Sequence, residues 1–238
     1  MIRTHVRSKV MVMKTYDEES SVYYSKRFLS EGGRHIDDIE KRLLAKHCEG
    51  SALLEIGTAT GRFVGFSHQM GWDYTGLDIS AQMLLLSRNN GTKLVQGDGE
   101  ELPIKSSTFD TVVCLHTFHF IPHPMRCILE SIRVLRERGL LILIFETDNW
   151  IRRLTLKTGI FQSDQYYFRI QEVIQMMRES GMQIVAGGPV LKFPMETYRK
   201  LPLTRLLASL DSSRYWPGIF ATLGFVIGRK LEDSETNS

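Results

Sequence analysis

Short apolar runs alternate with helical patterns through most of the chain. Leu53–Ile56, Asp73–Asp78, Lys93–Gln96, Phe109–Leu115 and Leu140–Phe145 read as strands. Between them come a helix over about 61–70, a second containing Met83, Leu84, Leu85 and Leu86 with Ser80 as its cap, and a third. The third is opened by Pro122 or Pro124, reaches about Arg136 and has Gly139 as its stop signal. The β-branched run F-D-T-V-V-C-L (109–115) predicts a buried strand, and 140–145, the most apolar run, predicts the central one. This alternation predicts a doubly wound, mostly parallel α/β sheet with helices on both faces.

The last third changes character. A helix over 165–180 ends at Gly181, and Gln183–Leu191 and Ala221–Arg229 complete a seven-stranded sheet as an antiparallel edge pair. The link between them, Lys192–Gly218, carries Pro194, Pro202 and Pro217 among Phe193, Tyr198, Tyr215 and Trp216, and reads as a small helical or loop cap. The expectation is a single domain over 1–231, with N-terminal lid helices in 1–45, cap insertions at 147–166 and 192–218, and a disordered tail at 232–238.

Composition narrows the classes. Of 238 residues, 42% are hydrophobic and 24% charged, which suits a folded core rather than extended disorder. A net charge of +3 makes nucleic acid an unlikely partner, and Arg133, Arg136 and Arg138 read as the solvated face of a helix. Cys48, Cys114 and Cys127 form no C-x-x-C pair, which gives no disulfide framework and points to a reducing, cytoplasmic compartment. No run reaches the ~18 apolar residues of a membrane span, and Val10–Met13 is too short for a signal-peptide core.

The chemistry is concentrated in four segments. In L-L-E-I-G-T-A-T-G-R-F (53–63) a strand ends in an acid, turns through small residues and enters a helix, a geometry that brings backbone N–H groups to a ligand. Ala59 and Arg62 stand where a dinucleotide fingerprint needs its second and third glycines. Glu55, Gly57, Ala59 and Gly61 satisfy E-x-G-x-[GA]-x-G instead. Asp78 ends the second strand, at the distance from Gly57 where an acid can accept bonds from ribose hydroxyls. Asp98, Gly99 and Glu100 open the segment before Leu102-Pro103. C-L-H-T-F-H-F-I-P-H-P (114–124) then places His116, His119 and His123 after the fourth strand, with no acids arranged around them for a metal; no metal is expected.

These segments resemble the class I S-adenosylmethionine (SAM)-dependent methyltransferases, and V-Q-G-D-G-E-E-L-P-I-K-S-S-T-F-D follows that family's G-D-A-x-x-L-P-F-x-x-x-x-F-D. The leader Y-D-E-E-S-S-V-Y-Y (16–24) resembles the Y-D-x-x-A-x-x-Y of small-molecule members related to the ubiquinone and menaquinone C-methyltransferases, with Ser20 for Ala and Tyr24 for the second Asp. The resemblance implies SAM as cofactor, Asp78 on the ribose, Ile79 against the adenine, and Asp98 and Gly99 on the adenine's polar edge. It also places Glu55, Gly57, Ala59, Gly61, Met83, Glu100 and Leu115 around the cofactor, with Tyr16 and Tyr23 as candidates to close the pocket. An acid such as Glu55 suits a sulfonium and would repel a pyrophosphate.

The activity implied is in-line methyl transfer to a small-molecule acceptor, with His116 and then His119 as candidate bases, or else as capping and solvated histidines. A SAM-binding module without catalysis, or a transfer-RNA-modifying enzyme, are the alternatives. Trp150, Phe161, Tyr166, Tyr167, Phe168, Tyr198 and Trp216 predict either an aromatic or apolar acceptor pocket or an ordinary core. The acceptor, the atom methylated, and the oligomeric state are not legible in the sequence.

Overall fold

The computed structural model describes residues 2–3, 8–87, 92–149, 165–191 and 221–232. Trp150, Phe161, Tyr198 and Trp216, most of the expected cap insertions, and the tail from 233 lie outside these residues. In chain order the elements are β1 (Ile2–Arg3), α1 (Lys9–Phe28), α2 (Glu31–His47), β2 (Ala52–Ile56), α3 (Val64–Gln69), β3 (Asp73–Asp78), α4 (Ala81–Leu86) and β4 (Lys93–Gln96). There follow β5 (Phe109–Leu115), a 3₁₀ turn (Phe118–Phe120), α5 (Pro124–Val134), β6 (Leu135–Glu146), β7 (Tyr166–Tyr167), α6 (Ile170–Glu179), β8 (Met182–Leu191) and β9 (Leu223–Lys230).

Seven strands form one sheet in the order β4-β3-β2-β5-β6-β9-β8. The first five are parallel, and β9 runs antiparallel to both β6 and β8. The expected mostly parallel sheet with an antiparallel edge pair is therefore present, with the last strand inserted inside the edge. Pro189 lies in the edge strand β8, where a missing N–H does least harm. A separate two-stranded ribbon pairs β1 with β7.

Strand alternation sorts the core onto two faces. Leu54, Ile56, Val112, Cys114, Leu141, Leu143 and Phe145 pack with Cys127 and Ile128 of α5 and Val173 and Met177 of α6. Their neighbours Leu53, Val113, Leu115, Leu140, Ile142 and Ile144 pack on the other face with Ile36 and Leu44 of α2 and Val64 of α3. Each such side chain contributes about 1.5–3 kcal/mol when fully buried, and both faces of β6 do so, which is why its run has no polar alternate. Chain order reverses between β2 and β5, so a crevice opens at their carboxyl ends.

Four expectations need correction. The helix opened by Pro124 stops at Val134, not about Arg136, and β6 begins at once. Gly139 lies within that strand, where an added Cβ would stand 2.9 Å from the Arg136 carbonyl and 3.0 Å from that of Asp110; it permits a bulge rather than ending a helix. Arg136 and Arg138 consequently sit on a strand, paired with Asp110 and Glu232. Only Arg133 is helical, and it caps the Leu102 and Ile104 carbonyls while pairing with Glu130. Residues 166–168 are not helical either, because Tyr166, Tyr167 and Phe168 are all buried, with β7 pairing and a bridge to Thr147.

Candidate cofactor and active site

A cleft enclosing about 740 Å3 of empty space, part of it open to solvent, lies over the ends of β2, β3 and β5. Ile56, Gly57 and Leu77 line it from the sheet, α1 contributes Lys9, Val12, Tyr16 and Tyr23, and the segment after β5 contributes His116, Thr117 and Phe120. A second recess of about 430 Å3 shares Tyr23, Gly57, Ala59 and His116 with the cleft and reaches Glu55, Thr58, Thr60, Arg62 and Leu115.

The turn after β2 makes this space. Gly57 has φ 81°, and a Cβ there would stand 1.9 Å from Thr117 Oγ1, so only glycine fits. Ala59 also takes a left-handed φ, 47°, at a cost of about 1–2 kcal/mol. That conformation aims its N–H at Asp78 Oδ2 (2.8 Å), while Ser80 N–H donates to Oδ1 (2.9 Å). Burial pushes the Asp78 carboxyl's pKa up, and these two N–H groups oppose the rise. Ser80 also caps α4, its Oγ accepting from Met83 N–H.

The structure brings Tyr16, Tyr23, Gly57, Ala59, Asp78, Ile79, Met83, Asp98, Gly99, Glu100 and His116 to the cleft. Glu55 and Leu115 line the recess alone. Gly61 lines neither: its missing side chain makes room for Ser87, whose Oγ an added Cβ would approach to 2.2 Å. His119 is also displaced from its expected place. It lies on the 3₁₀ turn, where successive residues point about a third of a turn apart, so Phe120 faces the cleft and His119 is buried. Its Nδ1 accepts from the Glu146 N–H at 3.4 Å.

Charge is organised in three groups. Lys9 on α1 reaches Asp98 Oδ2 (2.5 Å) and Glu100 Oε2 (2.7 Å), and His123 Nδ1 lies 2.9 Å from Glu100 Oε2. Burial works against the Lys9 ammonium, but the two carboxylates hold its pKa above the ordinary value. Glu55 is buried against the Tyr74 hydroxyl, which also bonds Thr58; burial pushes the Glu55 carboxyl up to about 7, despite that bond and the nearby Arg62. Under the recess, Arg62 joins Asp37 (2.8 Å) and Glu40 (2.6 Å), and Glu40 also meets His116 Nε2. Burial would raise the Glu40 pKa, yet Arg62 and His116 pull it down to about 2.

Lys9, Glu40 and Thr60 escape a reading of the sequence by motifs. For Glu40 a signal exists: Ile36, Glu40 and Leu44 follow one another at a spacing of four on α2, an acid within an apolar stripe. Lys9 carries no such mark, because its partners lie far along the chain.

Residues 54–143 match the family described as "Methyltransferase domain". Over 175 residues the chain is 29% identical to an uncharacterized protein of Methanocaldococcus jannaschii, covering 71% of this chain and 76% of that one. It is 30% identical to the 2-methyl-6-phytyl-1,4-hydroquinone methyltransferase 1 of Oryza sativa, covering 63% of this chain and 46% of the rice enzyme. The chain spans 58% of the length of its uncharacterized mycobacterial relatives. Its fold superposes on a Thermotoga maritima SAM-dependent methyltransferase, described as a possible histamine N-methyltransferase, with TM-score 0.68 and 19% identity, covering 92% of this chain and 99% of that one. Residues 54–143 therefore carry a methyltransferase domain, and the sheet order and the glycine turn over the strand ends give the chain the fold of the SAM-dependent methyltransferases it is similar to.

Proposed function

We propose that this chain moves a methyl group from SAM to a small-molecule acceptor by in-line displacement, in the cleft between α1 and the strand ends. The observation that carries the reading is the convergence of Gly57, Ala59, Asp78 and Asp98, from three separate segments, on one cleft. The residues present fit the cofactor. Each Asp78 oxygen accepts one N–H, and an ionised carboxylate retains lone pairs for two ribose hydroxyls. Asp98 and Gly99 offer a polar edge for the adenine, with Ile79 and Met83 as apolar wall. Thr60 Oγ1 is buried without a hydrogen-bond partner, in the recess that also holds Arg62 and Glu55, so a polar amino-acid tail would satisfy it.

SAM supplies a methyl group on a cationic sulfur that leaves as a neutral thioether. The protein's part is to align the acceptor and exclude water, and such positioning is worth about 7–11 kcal/mol. Tyr16 and Tyr23 close the cleft from α1, and Tyr16 meets Phe120 edge-on with ring centres 5.7 Å apart. His116, at the junction of cleft and recess, is the candidate base where the acceptor must lose a proton. An aromatic or apolar acceptor is the class we place first, supported by the hydroquinone in the rice relative's name.

Calorimetry of the full chain with S-adenosylhomocysteine, the demethylated cofactor, tests the site. Micromolar binding is expected, weakened at least tenfold by Asp78→Ala (about 1.4 kcal/mol). Absence of binding to the parent protein, or undiminished binding to the variant, overturns the reading.

A further inference from the structure

We propose that Glu40 is a positioning residue: it holds His116 with the Nδ1 lone pair available to take a proton from the acceptor. This rests on the methyl-transfer reading above and deepens it by naming the acceptor's chemistry.

The geometry is specific. Glu40, on α2, is fully buried, and its two carboxylate oxygens are divided between partners. Oε2 accepts from Arg62 Nη2 at 2.6 Å, and Oε1 meets His116 Nε2. The Arg62 guanidinium is held in turn by Asp37 and lies over the Phe28 and Phe63 rings, 4.2 and 4.0 Å from their centres. Two partners and two rings leave the carboxylate little freedom to move. The Arg62 cation and the hydrogen bond to His116 keep Glu40 ionised against the effect of burial. A carboxylate can only accept, so the shared hydrogen sits on Nε2. In the neutral ring that leaves a lone pair on Nδ1, which is buried and has no hydrogen-bond partner.

His116 itself is held at some cost. It follows the last residue of β5 in the left-handed region, φ 57°, with its N–H donating to the Ile144 carbonyl at 3.1 Å. A bulky residue is rarely placed there, and such strain gathers at functional sites. The backbone turn carries the ring to the wall shared by the cleft and the recess. The acceptor is thus of the X–H class, with X a hydroxyl oxygen, a thiol sulfur or an acidic carbon. As the X–CH3 bond forms and the methyl–sulfur bond breaks, that bond's electron pair stays on sulfur and the X–H proton passes to Nδ1. Glu40 stays ionised and offsets the imidazolium charge.

Nitrogen-edited NMR of the full chain with labelled histidine tests this without an acceptor. The expected spectrum shows a low-field, carboxylate-bonded Nε2 proton that is lost in His116→Asn and moves upfield in Glu40→Gln. Glu40→Asp, which keeps the charge beside Arg62 but shortens the reach, should also move it upfield and guards against a fold failure in the amide variant; circular dichroism checks both folds. A proton on Nδ1 in the parent, or a spectrum unchanged in folded Glu40 variants, overturns the proposal. S-adenosylhomocysteine binding is measured on the same samples. Its absence from the parent would remove the methyl-transfer reading while leaving the histidine spectrum as found, so the two failures are distinct.

Discussion

Glu55 shows how burial sets the charge of a motif residue. At the end of a strand in the sequence it reads as an anion, but burial against Tyr74 raises its carboxyl from 4.5 to about 7. Between those values the folded chain keeps a proton that the unfolded chain has released. The associated stability is present below pH 4.5 and is lost as pH rises through 7, about 3 kcal/mol at most at 1.36 kcal/mol per unit. Glu55→Gln should remove this dependence. Thermal melts at pH 5 and 8 should show the variant gaining on the parent at the higher pH, and parallel curves would refute the assignment. A cation bound beside Glu55 favours its ionised form, so SAM, which carries a sulfonium, should release protons on binding at pH 7. Titrations in buffers of different ionisation enthalpy measure that release.

At the scale of elements, α1 is the one that sequence periodicity describes least. It lies along the cleft rather than within the sheet's two core faces, and polar contacts hold it: Lys9 to Asp98 and Glu100, and Asp17 to the Ser80 hydroxyl. Exposed ion pairs are worth about 0.2–1 kcal/mol, and the nearly buried Glu100 strengthens this one. Lys9→Ala should therefore loosen α1 without weakening the sheet. Hydrogen exchange in 9–28 is expected to quicken severalfold while the global melting temperature changes little. Unaltered exchange would show that Tyr16 and Tyr23 packing alone holds the helix. By contrast α2 and α5 present apolar stripes to opposite faces of the sheet, and their positions follow from that pattern.

For the whole molecule, one cluster ties the early and late halves of the chain together. Phe118 lies 5.1 Å from Phe168 and 6.2 Å from Phe145 between ring centres, and all three are fully buried. These rings join the turn beneath the site to β6 and to the segment leading into α6. Phe118→Ala should cost about 3–5 kcal/mol in urea unfolding, through lost transfer energy and a cavity. A smaller loss would mean that the cluster collapses around the gap.

Sequence alone determined the sheet, because strand and helix periods are local and each core side chain reports its own burial. Asp73–Asp78, Lys93–Gln96 and Phe109–Leu115 coincide with the observed strands for that reason. It also determined the turn at Gly57, where the backbone conformation demands glycine, and the acids at the end of β3 and just after β4. Tertiary structure decided the rest. Only packing shows that Gly61 makes room for Ser87 and that the 3₁₀ turn buries His119. Only packing joins Lys9 to Asp98 and Glu40 to His116, residues 89 and 76 positions apart. Charge and direction at this site arise from contacts between distant segments, and no local pattern records such contacts.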